Sequence, residues 1–106
     1  MNANNIISNE AHSNKKVIRK LTDLYLLNEI EDSKQWIEII NHKIKGCKLR
    51  KQHLIDNRPF FFQKKKLEEY NKKIESIDKE IFKNLLDIEE EIKLIEKYTE
   101  LINSDY

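Results

Sequence analysis

The feature that most constrains this chain is a row of apolar residues spaced alternately three and four apart. The clearest run lies in the second half of the chain and consists of Leu67, Tyr70, Ile74, Ile77 and Ile81. This spacing keeps one face of a helix apolar over several turns and is typical of helices that pack lengthwise against other helices. The 106 residues include a single Gly and a single Pro, whereas a β-rich fold needs a turn every eight to twelve residues or so. The sequence therefore predicts an all-α fold.

We predict an elongated antiparallel three-helix bundle or coiled coil, with helices over residues 15–45, 48–83 and 87–103. Gly46 predicts the end of the first helix, because glycine readily takes the left-handed conformation in which helices end. The second boundary is placed at residues 83–87. There the apolar spacing becomes four and four as far as Leu85, which breaks the heptad phase.

The first predicted helix carries two apolar stripes. The main stripe consists of Val17, Leu21, Leu24, Ile30, Ile37, Ile40, Ile44 and Cys47, with a polar gap at Ser33. A second, narrower stripe consists of Ile18, Tyr25, Trp36 and Ile39. A helix with two apolar stripes is expected to touch two neighbours, as it does in a three-helix bundle.

Pro59 leaves two arrangements open. Proline either starts a helix or kinks one, because it lacks an amide hydrogen and clashes with the preceding turn. If residues 57–59 form a turn, the fold is a two-helix hairpin. If Pro59 lies inside a kinked second helix, the fold has three helices. The spacing break after Ile81 and the second stripe favour the three-helix arrangement.

Composition and charge limit the class of protein. Residues 15–106 are predicted to form one domain, preceded by a flexible, Asn- and Ser-rich tail at residues 1–14. The chain has 20 basic and 19 acidic residues, and this balance argues against a dedicated nucleic-acid binder. The single cysteine, Cys47, cannot form an internal disulfide and favours a reducing compartment. No apolar run approaches the roughly 20 residues that span a bilayer, so we expect a cytoplasmic protein without a membrane partner.

No residue pattern indicates catalysis, a metal site or a cofactor. One glycine is too few for a glycine-rich phosphate loop. The spacing of His42, Cys47 and His53 matches no common metal site. We therefore expect a protein that is not an enzyme and binds neither metal nor cofactor.

Three consecutive aromatic residues, Phe60–Phe62, follow Pro59 and precede a basic run, Lys64–Lys66. On a helix three consecutive side chains spread over about 200°, so they cannot all face one neighbour. We expect at least one of them to be partly exposed or packed against a third helix. Core packing is favoured over a role as an exposed anchor for a partner.

The middle of the chain resembles the tubulin-binding cofactor A (tubulin-specific chaperone A) family. The resemblance rests on Leu49-Arg50-Lys51-Gln52, on Arg58-Pro59, and on Leu67-Glu68-Glu69-Tyr70, and extends upstream to Val17-Ile18-Arg19-Lys20-Leu21-Thr22. Two features depart from the family pattern: Arg58 immediately precedes Pro59, and the connection at Gly46 is short. The resemblance implies a cytoplasmic, cytoskeleton-associated three-helix bundle, a monomer or weak homodimer, that captures β-tubulin without any chemistry.

On this hypothesis the residues that bind the partner are Arg50, Lys51, Gln52, Arg58 and Phe61, which combine charge at the rim with an aromatic anchor. The alternative is a helical-hairpin structural or interaction protein, such as a stalk component of a secretion apparatus, with Pro59 at its tip. Residues 56–62 and 83–87 distinguish the two. A helix that continues unbroken from residue 60 to residue 103 contradicts the tubulin-cofactor arrangement.

Overall fold

The computed structural model describes the backbone of residues 3–104 and the side chains of residues 15–104. Within that range the chain forms two α-helices, α1 (Ala3–Asp56) and α2 (Lys64–Asn103). They pack lengthwise against each other in a rod of 95 × 15 × 15 Å. The predicted all-α class is confirmed. The arrangement, however, is an elongated two-helix hairpin rather than a three-helix bundle.

Gly46 lies inside α1, so the predicted helix end at residue 45 is wrong. Its φ is negative, as in the rest of the helix. An interior glycine costs a helix only about 1 kcal/mol relative to alanine. Burial of Ile44 and Cys47 on either side of it offsets that cost, since each buried apolar side chain contributes roughly 1.5–3 kcal/mol.

We expect Gly46→Ala to raise the free energy of unfolding by about 1 kcal/mol. Beyond its chain neighbours and the nearby backbone of its own helix, a Cβ built at Gly46 has no heavy atom within 4 Å, so the methyl group meets open space and the gain in helix propensity is retained. Urea denaturation followed by circular dichroism measures the change. Gly46→Pro is the opposite control, with an expected loss of about 3 kcal/mol. A destabilised Gly46→Ala variant would contradict the uninterrupted helix.

Pro59 lies in the hairpin loop, residues 57–63, and not inside a helix. The carboxyl end of α1 is closed by Asn57, whose side-chain Nδ2 donates to the His53 carbonyl oxygen at 2.8 Å. The loop is then braced by Gln63: the Phe60 amide donates to Gln63 Oε1 at 3.1 Å, and the Gln63 amide donates to the Phe60 carbonyl oxygen at 2.9 Å. Proline is accommodated at this position because a loop residue need not donate a backbone hydrogen bond, and proline has no amide hydrogen to donate.

The two helices meet along a single seam. Its α1 positions are Asp23, Leu26, Ile30, Ser33, Ile37, Ile40, Ile44, Cys47, Lys51 and Leu54, and each is buried or half-buried. From Asp23 to Leu54 these positions are spaced alternately three and four apart, as in a coiled coil. The predicted main stripe is correct from Ile30 to Cys47 and wrong before it, because Val17, Leu21 and Leu24 are all more than half exposed.

On α2 the seam runs without interruption through residues 83–87. Its members, all buried or half-buried, are Leu67, Tyr70, Ile74, Ile77, Ile81, Asn84, Ile88, Glu91, Ile95, Tyr98 and Ile102. The predicted break is therefore wrong. The regular spacing continues through Asn84, a polar residue, whereas Leu85 beside it faces outward. No turn forms there, because the three-and-four spacing of the buried positions continues unchanged through Ile81, Asn84 and Ile88.

The open end of the hairpin is asymmetric. Arg19 Nη2 donates to the Ser104 carbonyl oxygen at 3.5 Å, so α2 ends opposite Arg19, while α1 begins at Ala3. The backbone of residues 3–14, which we predicted to be part of a tail, is helical, and the flexibility of that tail stays a prediction. Met1, Asn2, Asp105 and Tyr106, at the ends of the predicted tail and domain, lie outside the described residues.

Candidate functional site

Two ion pairs join α1 to α2 near the hairpin loop. Arg50 Nη2 lies 3.0 Å from Glu80 Oε2, and Lys51 Nζ lies 2.7 Å from Asp78 Oδ1. These side chains are substantially exposed, and exposed ion pairs contribute little to stability because water and salt screen them. Their main effect is to favour one register between the helices, because a sliding helix would separate both pairs.

Arg50 also contacts the buried thiol of Cys47. Its Nη2 donates to Cys47 Sγ at 3.2 Å. This hydrogen bond raises the pKa of Arg50, and the hydrogen bond to Glu80 raises it further. The guanidinium is therefore charged at any pH at which proteins fold, and it covers the one cysteine of the chain.

The five residues predicted to bind a partner separate into two groups. Arg50 and Lys51 are engaged with α2, and Gln52 Nε2 donates to Asp56 Oδ1 within α1 at 2.8 Å. Arg58 and Phe61 lie in the loop. The structure thus brings the first three into contacts within the chain, and binding of a partner through any of the five stays a prediction.

Sequence reasoning missed Asp78 and Glu80 as the ion-pair partners of Lys51 and Arg50. The signal was present: a hairpin that turns at Pro59 brings residues before the turn beside residues after it. That folding-back places the run Lys48–Lys51 opposite residues 78–80. The favoured three-helix arrangement has no turn at Pro59, so it does not bring these two segments together.

The hairpin tip is a cluster of three phenylalanines. Phe60 and Phe62 stack with ring centroids 5.6 Å apart, and Phe61 meets Phe62 edge to face at 5.6 Å. All three remain largely in solvent, and Phe61 is 87% exposed. Arg58 lies over the Tyr70 ring, with Cζ 5.9 Å from the centroid, at a distance where a cation is attracted to the ring face. The rings therefore pack on one another rather than on the helices.

The outer face of α1 carries a second row of large side chains. We call it the outer stripe and define it as Ile18, Leu21, Tyr25, Asp32, Trp36 and Ile39. All six are exposed, although five are large and apolar or aromatic. On a helix of 3.6 residues per turn they fall within about 60° of one another, about a third of a turn from the seam. Asp32, Trp36 and Ile39, with Gln35, line a shallow groove.

Before Leu26 the seam positions of α1 are polar, while the outer stripe beside them is apolar. The α1 residues that continue the seam spacing before Leu26 are Asp23, Arg19 and Lys16, all polar. Over the same stretch Ile18, Leu21 and Tyr25 face solvent. Scattered exposed apolar residues are ordinary, but a contiguous row of them marks a contact surface. This part of α1 therefore carries an apolar row that α2 does not cover.

Neither a metal site nor a membrane span is evident in the part of the chain that the structure describes. Among those residues no group of three or more His, Cys, Asp or Glu side chains could hold a metal ion. Neither α1 nor α2, over the range described, combines the length and the apolar content that crossing a bilayer requires.

Comparison with protein-family models, with curated proteins and with solved structures finds no match to this chain.

Proposed function

We propose that this chain is a non-enzymatic helical-hairpin assembly protein that pairs with a second copy of itself through the outer stripe of α1. This is the hairpin class of interaction protein that the sequence left open as an alternative. A rod with one closed seam and an uncovered apolar row on α1 is suited to building a larger helical assembly.

The spacing of the outer stripe is the observation that carries the proposal. From Ile18 to Ile39 the intervals are three, four, seven, four and three, which read the same in both directions. A two-fold contact uses the same surface on both copies, so residue i meets residue j and residue j meets residue i. A palindromic row meets that requirement when two α1 helices lie antiparallel.

The antiparallel pairing produces chemically matched contacts. Ile18 would meet Ile39 of the second copy, and Leu21 would meet Trp36. Tyr25 would meet Asp32, whose carboxylate can accept a hydrogen bond from the phenol hydroxyl. The row is about 32 Å long and one helix wide. Contacts of this size belong to weak, reversible association rather than to obligate dimers.

We expect the full chain to associate reversibly into a dimer at micromolar concentrations, as measured by sedimentation equilibrium. Leu21→Glu and Trp36→Glu should each weaken the dimer at least about tenfold, because a buried charge replaces an apolar anchor. Leu49→Glu is the matched control. Leu49 is as exposed as Leu21 but lies on another face of α1, so the control should dimerise like the wild type.

A cross-linking experiment tests the direction of pairing. In a Cys47→Ala background, a mixture of the Ile18→Cys chain and the Ile39→Cys chain should be joined by a short bis-maleimide much faster than either chain alone. Equal cross-linking within each single variant would indicate parallel pairing and contradict the two-fold arrangement. A chain that stays monomeric at hundreds of micromolar would overturn the proposed function.

Capture of β-tubulin stays a separate hypothesis with less support. It was tied to a three-helix bundle, and the continuous α2 removes that premise. Its remaining support is the short sequence resemblance around Arg50-Lys51-Gln52 and Pro59. A pull-down with β-tubulin tests it, and absence of binding at micromolar concentration would end it. The expected cytoskeletal association depends on the same hypothesis.

A further inference from the structure

The hairpin tip has a feature that self-pairing does not use. Phe60, Phe61 and Phe62 are exposed at the end of a rod 95 Å long and 15 Å wide. They lie beyond the last residue of α1 and about 25 Å along the helix from Ile39, the nearest member of the outer stripe. A dimer through the outer stripe therefore leaves the three rings uncovered.

The segment that carries the rings is basic, and acidic residues flank it at Asp56 and Glu68. Residues 57–67 contain Arg58, Lys64, Lys65 and Lys66 and no acidic residue. All three lysines are exposed in the first turn of α2. The amino end of a helix carries partial positive charge, so cations there are unfavourable unless an anionic partner lies opposite them. The described residues place no carboxylate in an ion pair with any of the three.

We infer that the tip docks on an anionic lipid bilayer, with the three phenyl rings inserted at the interface and the four cations against the headgroups. Phenylalanine is one of the apolar residues by which peripheral proteins enter the boundary between headgroups and acyl chains. Basic side chains beside an inserted segment are attracted to anionic lipid. The phenyl rings of residues 60–62 carry no polar atom and need no hydrogen-bond partner, so they are suited to the hydrocarbon boundary of a bilayer.

The shape of the molecule favours a bilayer over a protein pocket. Three adjacent rings on a convex tip present a blunt apolar end, which a fluid surface accommodates from any rotation of the rod. A pocket would have to surround a convex cluster that is already packed on itself, with Phe60 and Phe62 stacked. The expectation of no membrane partner rested on the absence of a spanning segment, and peripheral docking needs none.

Cosedimentation with vesicles tests the inference. The full chain should bind vesicles of mixed phosphatidylcholine and phosphatidylserine and should bind pure phosphatidylcholine much more weakly. The variant Phe60→Ala/Phe61→Ala/Phe62→Ala should lose at least about tenfold in partition. Lys64→Gln/Lys65→Gln/Lys66→Gln should lose about a hundredfold on the anionic vesicles. Phe82→Ala is the control, because Phe82 is an exposed phenylalanine on the side of α2.

Tryptophan fluorescence tests insertion directly. In a Trp36→Phe background, Phe61→Trp should shift to the blue and be quenched by brominated lipid when anionic vesicles are added. Phe82→Trp in the same background should do neither. Phe61 and Phe82 lie outside the outer stripe, and the two chains compared share the same Trp36→Phe change, so a failure of self-pairing leaves this comparison intact.

Several outcomes would overturn the inference. One is absence of binding to anionic vesicles, which would leave the tip to a protein partner. A second is binding that survives the triple alanine substitution, because the rings would then have no part in it. A third is equal affinity for neutral and anionic vesicles, which would remove the role of the four cations.

Discussion

Ile77→Ala is expected to lower the free energy of unfolding by about 2–5 kcal/mol. Ile77 is 8% exposed and is a buried seam residue of α2. A hairpin has one row of core residues from each helix, so few neighbours can move in to fill the space that the smaller side chain leaves. The total stability of a domain of this size is about 5–15 kcal/mol, so one substitution removes a large share of it. Urea denaturation followed at 222 nm, at a concentration where the chain is monomeric, measures the loss.

The matched control is Ile92→Ala. Ile92 lies in the same helix but is 44% exposed, and alanine is the better helix former. We expect its effect to stay within about 1 kcal/mol. If both variants lose the same stability, Ile77 does not face α1 more closely than Ile92 does. That result would mean that α2 is rotated about its axis relative to the arrangement described.

The second large effect has the opposite sign. We expect Asn84→Leu to raise the free energy of unfolding by about 1–3 kcal/mol. Asn84 is buried in the seam, and its Nδ2 has no hydrogen-bond partner among the described residues. A buried donor without a partner loses its contact with water and gains nothing in return. Leucine removes that penalty and adds apolar burial.

Thermal unfolding of Asn84→Leu and of the control Asn71→Leu measures the difference. Asn71 lies on the same helix and is exposed, so its replacement should change stability by no more than about 0.5 kcal/mol. A single buried asparagine in a coiled coil also restricts register and partner number at a cost in stability. We therefore expect Asn84→Leu to form additional oligomers on sedimentation. An unchanged melting temperature would mean that the amide is satisfied by water.

Asn84 also explains why the sequence pointed to three helices. A search for apolar residues passes over Asn84 and selects Leu85, which creates an apparent break in phase. In the structure the spacing is unbroken, and the position is simply occupied by a polar side chain. Ser33 is a second example, since the gap that it makes in the apolar row is a buried seam position. Periodicity located the seam residues that are apolar and missed those that are not.

The candidate contact surfaces were only partly predictable. The second stripe of α1 was found from its spacing, but it was interpreted as a contact with a third helix. In the structure it faces solvent, because α2 covers a single face of α1. Core packing of Phe60–Phe62 was favoured, and from their consecutive placement at least one ring was expected to be partly exposed or packed against a third helix. Exposure of all three was not, since it depends on the loop brought about by Asn57, Pro59 and Gln63.

The sequence by itself determined the helical class, the elongated shape and most of the apolar seam, because these follow from local propensity and from spacing within one helix. Only the tertiary structure decided where the chain reverses and which faces stay uncovered. Those depend on which residues lie opposite each other across the hairpin, such as Lys51 with Asp78. Pairings between distant residues leave no periodic trace in either helix alone. For that reason the sequence pattern predicted a break after Ile81 and a helix end at Gly46, whereas both helices continue through these positions in the structure.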